Sequence, residues 1–175
     1  MIGRAFICVL FAVVSCCATK QISDSFEYEG QKGWIEESPL LPLLQKRELR
    51  FEMRSTANYS GFVAGWEVKD GKLYLSSFTG RRKSQERNLK WLFPDTGHPV
   101  FADWYSGKIH VSLGEVVVKK LTGHVVVTRK LVMLQVVNGK VSQSKTYAYP
   151  KNVPVINELL SKKFGRKVDI TEWKK

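Results

Sequence analysis

The stretch S-T-A-N-Y-S-G-F-V-A-G-W-E-V-K-D-G-K-L-Y-L, from Ser55 to Leu75, carries two β-prone apolar runs, Phe62 to Val68 and Leu73 to Leu75, on either side of Lys69-Asp70-Gly71-Lys72. An Asp-Gly pair between such runs predicts a β-hairpin, because glycine takes positive φ with no Cβ to clash. Upstream, Phe26, Glu27, Tyr28 and Glu29 alternate aromatic with charged residues, and this period of two predicts a half-exposed strand. A turn over Gly30 to Gly33 and a second short strand through Trp34 and Ile35 should follow. In Pro39-Leu-Leu-Pro-Leu-Leu44 two prolines exclude a central strand and leave a short helical turn or an extended apolar plug in the core. Leu49 to Met53 reads as a strand feeding the hairpin, with Leu49, Phe51 and Met53 on one face.

Downstream, apolar runs at Ile109 to Leu113, Glu115 to Leu121, His124 to Val137 and Val141 to Tyr149 are punctuated by Gly114, Thr122-Gly123 and Asn138-Gly139. Asn-Gly is the pair that a type I′ turn requires, so this half reads as an antiparallel meander. The run from His124 is long for one strand, and the charges at Arg129-Lys130 place a bulge there. Apolar residues at 155, 156, 159, 160 and 164 have helical spacing. Asn152 is the expected cap, Pro154 lies in the first turn, Lys162 and Lys163 suit the C-terminal end, and Gly165 is the stop. The tail through Val168 and Ile170 reads as either disordered or one last strand. The expected fold is mainly β: an antiparallel sheet, sandwich or partly open barrel, with one C-terminal helix.

The chain has 175 residues, 43% of them hydrophobic, enough for one core and one domain. Residues 1–18 are set apart as a signal peptide, since Arg4 supplies a positive start and Ala5 to Val14 is an apolar run too short to span a bilayer as a helix. The expected folded domain is then 19–175. All three cysteines, Cys8, Cys16 and Cys17, lie in or beside that segment, so the body must be held by packing without an internal disulfide. Val13-Val14-Ser15-Cys16 is similar to a bacterial lipobox, which would make Cys16 an acylated N-terminus. Cleavage after Cys17 or Ala18 would instead release a soluble protein.

Removing Arg4 leaves 27 basic against 16 acidic residues, a net charge of +11. Such an excess attracts anionic partners. For an exported chain these are envelope components such as phospholipid, glycolipid and cell-wall polymer, with nucleic acid ranked second. The most basic run, between Phe78 and Trp91, contains Arg81, Arg82, Lys83, Arg87 and Lys90 against Glu86 alone. It reads as a solvated loop or exposed helix, and functionally as a polyanion contact. Asn58-Tyr59-Ser60 matches a glycosylation acceptor, which has meaning only in a eukaryotic secretory pathway.

The stretches G-F-x-A-x-W-E-V-x-D-G-K-L-Y-L and F-A-D-W-Y-S-G, separated by L-F-P, resemble a widespread family of small uncharacterised bacterial proteins over residues 49 to 114. The resemblance implies a β-rich domain and supplies no reaction, cofactor or catalytic residue. Where the family has W-R-G-Y, this chain has Tyr59-Ser60-Gly61-Phe62, so an Arg of the motif is missing.

For chemistry, His98 lies five residues before Asp103, so a hydrolase would use His98 as base and Asp103 as its orienter. No paired nucleophile is identifiable. The histidines His98, His110 and His124 have no metal-ligand spacing, and neither a metal nor a cofactor is expected. Trp66, Tyr74, Trp104 and Tyr105 could line a groove for a sugar or peptide, while Asp103 could instead accept backbone bonds in a turn above Trp104. The leading expectation is a non-enzymatic envelope module for an anionic or protein partner, tethered to the membrane if Cys16 is acylated. The rivals are the His98/Asp103 hydrolase and a toxin-neutralising inhibitor.

Overall fold

The computed structural model describes residues 21–120, 125–165 and 167–172. In chain order the elements are β1 (Asp24–Tyr28), β2 (Gln31–Ile35), α1 (Leu41–Lys46), β3 (Phe62–Lys69), β4 (Lys72–Arg82), β5 (Gln85–Asn88) and α2 (Leu89–Leu92). There follow β6 (Val100–Phe101), β7 (Gly107–Lys120), β8 (Val125–Val137), β9 (Lys140–Ala148), α3 (Val153–Phe164) and a 3-10 turn at Ile170–Glu172. The segment with Cys8, Cys16 and Cys17, and also His124, lies outside the described residues.

Two-residue turns organise the sheet. Asp70-Gly71 and Asn138-Gly139 both take positive φ at both positions, the conformation that matches the twist of tightly paired strands, as expected from their residues. Glu29-Gly30 does the same between β1 and β2. So does Lys83-Ser84 between β4 and β5, although neither residue is glycine.

Among the described residues nine strands form one mainly antiparallel sheet in which β3, β1, β2, β7, β8, β9 and β4 follow one another, and β4 pairs back onto β3. The result is a partly closed barrel. The weak seam is between β9 and β4, where the only ladder pair is Lys72↔Lys140, because β6 and β5 take the rest of that edge of β4. At the seam the two turns dock: Leu73 N–H donates to Gly139 O at 2.8 Å, Val141 N–H to Gly71 O at 2.8 Å, and Gly139 N–H to Tyr105 O at 2.9 Å. One pair departs from the antiparallel expectation. β1 runs parallel to β3, with Phe26 opposite Trp66, because the long connection through α1 carries the chain across to the far side of β1.

The barrel interior is filled by Phe26, Ile35, Trp66, Leu73, Leu75 and Ile109, among others, and Leu40 and Leu44 of the proline-leucine segment plug it. Asp24 is the buried charge among them: its carboxylate accepts Ala64 N–H at 2.9 Å and Trp66 Nε1–H at 3.0 Å. Beyond the barrel, the extended β7–β8 arm carries a second core in which Val118 and Val127 pack with Ile156 of α3 and with Val168 and Ile170.

Several expectations are corrected. Leu49–Met53 forms no strand: it lies beside the end of β4 through one backbone bond, Glu52 N–H to Arg81 O at 2.7 Å, while Phe51 packs edge-on to Phe62, Phe78 and Trp91. Gly114 does not end a strand. β7 runs through it, and the extra residue of the bulge belongs to β7, opposite Arg129, whereas β8 keeps its step at Arg129-Lys130. Asn152 stands at the start of α3 but does not cap it, because its Oδ1 accepts Ala148 N–H at 2.9 Å and so ties β9 to the helix. Among the described residues 167–172 the tail forms no strand and ends in the 3-10 turn. Val168 and Ile170 are buried under α3, with Ile170 N–H donating to Asn157 Oδ1 at 3.0 Å.

Candidate functional site

The basic run is a hairpin. β4 continues through Arg81 and Arg82, turns at Lys83-Ser84, and returns as β5 before the one-turn α2. Register puts Arg81 opposite Glu86, and Arg82 opposite Gln85, so alternate side chains leave opposite faces. On one face Arg81 Nε lies 3.6 Å from Glu52, and Arg54 pairs with Glu86. On the other, Arg87 lies over the Trp91 ring at 5.0 Å and donates to Gln85 at 2.6 Å. Glu52 also accepts Ser84 N–H at 2.9 Å, which braces the turn. Arg82, Lys83 and Lys90 have no acidic partner among the described residues.

Bonds from this hairpin lead on to Gln21 and Ile22, ahead of β1. Arg54 N–H reaches Asn58 O, Ile22 N–H donates to Ala57 O at 2.7 Å, and Gln21 brackets the same loop through Thr56 O at 2.8 Å and Tyr59 N–H at 3.1 Å. Three of the most exposed large apolar residues belong to this knot: Ile22 at 54%, Met53 at 58% and Tyr59 at 75%. Asn58, the residue of the glycosylation-like triplet, is buried there and its Oδ1 accepts Gly61 N–H at 3.0 Å.

The four aromatic residues expected to form a groove are divided. Trp66 pairs in register with Leu75 and is 1% exposed inside the barrel, whereas Tyr74 pairs with Glu67 on the opposite face and meets Phe101 at 5.8 Å. Trp104 stacks on Phe93 and donates its indole N–H to Pro39 O at 3.0 Å. Tyr105 is buried, with its hydroxyl donating to Lys108 O. A shared ligand groove is excluded for Trp66 by this packing.

His98 and Asp103 are both exposed, and neither makes a hydrogen bond among the described residues. The turn above Trp104 is closed by backbone alone, Tyr105 N–H to Ala102 O at 3.1 Å. The carboxylate and imidazole that do meet are Glu37 and His110: Glu37 Oε1 lies 2.6 Å from His110 Nδ1, and Oε2 accepts the His110 backbone N–H at 3.2 Å. Sequence reasoning missed this pair, whose partners are 73 residues apart. Burial pushes the Glu37 carboxyl up, but the bonds to the His110 ring and to backbone N–H groups, with the His110 charge, outweigh it and hold it below its ordinary 4.5. Burial, and then the Glu37 charge, push the Tyr105 hydroxyl up.

A carboxyl lowered in this way stabilises the fold above its ordinary value, and the contribution is lost as pH falls through the lowered one. Glu37→Gln is therefore expected to unfold at a less strongly pH-dependent midpoint on acidification below about 4.5. Urea melts of both proteins at stepped acidic pH check this, and parallel curves would contradict it.

Searches of protein-family models, curated proteins and solved structures found no match to this chain. Among the described residues no group of three or more His, Cys, Asp or Glu side chains could hold a metal ion, and no helix is long and apolar enough to cross a membrane.

Proposed function

We propose that the protein is an exported, non-enzymatic module of the bacterial envelope that sits on an anionic surface through the end bearing the β4–β5 hairpin. The observation that supports this reading is the convergence at that end of unpaired cations and exposed apolar side chains. Arg82, Lys83 and Lys90 offer charge, while Ile22, Met53 and Tyr59 offer apolar and aromatic surface of the kind that enters the headgroup region. Cys16 lies six residues before Ile22. Acylation there would hold this same end against the membrane and add the second of the two signals that stable attachment requires.

The reading predicts that purified protein sediments with phosphatidylglycerol vesicles, far less with phosphatidylcholine vesicles, and is released by salt. Replacing Ile22, Met53 and Tyr59 together by Ser should weaken that binding while moving the melting temperature little, since exposed positions contribute little to stability. Equal sedimentation with neutral vesicles, or no sedimentation at low salt, would count against the assignment.

A further inference from the structure

We propose that the open edge of β9 is a docking strand for an acidic, extended segment of a partner protein, which would join the sheet as an added strand. This surface is distinct from the hairpin end, and three observations carry it. The first is that the edge is unpaired. On one side β9 ladders with β8 from Lys140 to Ala148; on the other, past Lys72↔Lys140, no strand among the described residues joins it.

The second is that the edge is ready to pair. Tyr149 N–H donates to Arg129 O at 3.0 Å, which sets the ladder phase: Gln143, Lys145 and Tyr147 bond inward to β8, and Ser144, Thr146 and Ala148 turn their N–H and C=O groups outward. The outward N–H of Ala148 is already met by Asn152 Oδ1, a side chain standing in for one bond of a next strand. Ser144 and Thr146 have no such substitute among the described residues. Side chains from Ser142 to Thr146 are exposed on both faces, so an incoming strand meets no covering layer.

The third is charge. From residue 116 to residue 157 the chain has seven Lys or Arg and no Asp or Glu. Within that block Arg129 is paired with Glu115, but Lys140 and Lys145, both on the edge strand itself, have no acidic partner among the described residues. A second copy of β9 would bring these lysines against their own kind, whereas an acidic strand would be drawn in and held by the main-chain ladder. Lysine on an edge also guards against indiscriminate pairing, so the occupant must supply the opposite charge.

The test is amide hydrogen exchange on the purified full chain with a capped peptide of alternating glutamate and valine. Exchange at Ser144 and Thr146 is expected to slow at least ~tenfold on saturation, and the Lys140→Glu, Lys145→Glu double variant to bind at least ~tenfold more weakly. A peptide N-methylated on alternate residues, which keeps the charge but loses the ladder donors, should fail on the unaltered protein. A lysine–valine peptide should also fail. Binding without protection at Ser144 and Thr146, or equal binding of the N-methylated peptide, would reduce the site to nonspecific attraction and overturn the proposal. Absence of binding would show that the lysines only guard the edge, and would overturn it as well.

Discussion

Trp66→Ala is expected to destabilise the protein by about 4 kcal/mol or more, a large part of the roughly 5–15 kcal/mol by which a domain of this kind is stable. Trp66 is among the largest fully buried side chains, and truncation leaves a void in the barrel core on β3, opposite Phe26 of β1. It also removes the indole N–H from Asp24, so the buried carboxyl keeps one of its two donors, Ala64 N–H. Trp66→Phe separates the two effects. It keeps an aromatic ring and loses the bond, with an expected cost of about 1–3 kcal/mol for the unmet oxygen.

The pH dependence at Asp24 is opposite to that at Glu37. Burial raises the Asp24 carboxyl above its ordinary 3.8, against the lowering effect of the Ala64 and Trp66 bonds. Its contribution is therefore fully present below about 3.8 and is lost as pH rises through the folded value. Removing the Trp66 donor should push the carboxyl further up, and so enlarge this loss and extend it to higher pH. Denaturant melts of Trp66→Phe at several pH values read both effects, and a variant as stable as the parent with the same pH profile would refute the role of this bond.

Gly139→Ala is the second large effect, expected at about 3 kcal/mol. The residue has φ +74°, where an L side chain is strained, and a Cβ would meet Ala102 O at 2.7 Å and the Phe101 ring at 2.8 Å. Backbone must move, and the backbone at hand is the seam where Leu73 and Gly139 are bonded. Gly71→Ala has the same kind of turn and positive φ with open space around it, and should cost only about 1–2 kcal/mol. Comparable melting temperatures for the two variants would mean that docking of the turns does not close the barrel.

The contrast among the turns explains how far the fold was legible. Asp70-Gly71 and Asn138-Gly139 announce themselves because glycine is the residue that their backbone requires. Lys83-Ser84 adopts the same conformation with no such residue, braced from outside by Glu52, and so the basic run read as a loop or helix. Alternation at Leu49–Met53 held only as far as Phe51, since Leu49 and Phe51 pack against the core while Met53 is exposed, and partial one-sided burial does not require a ladder. Gly114 looked like a break and was absorbed as a bulge, since positive φ is tolerated within a strand that gains a residue.

The site residues were less legible for a different reason. Arg81, Arg82, Lys83 and Arg87 were visible as composition, but which of them Glu52, Glu86 and Gln85 engage depends on strand register. Asp24 had one local signal, an acid in phase with Phe26 on the buried face of its strand. Glu37 and His110 had none, because their meeting depends on how β2 pairs with β7.

The central claim, that the hairpin end and not the overall positive charge engages an anionic surface, is tested most directly by matched charge reversal. Arg82, Lys83 and Lys90 are changed together to Glu, and in a second protein the exposed Lys32, Lys46 and Lys69 are changed in the same way. Each basic residue near an anionic bilayer contributes about 1 kcal/mol, so the hairpin variant is expected to bind phosphatidylglycerol vesicles at least ~100-fold more weakly, with the control losing only a few-fold. Equal losses in the two proteins would mean that net charge alone draws the molecule to the surface, and would contradict the account.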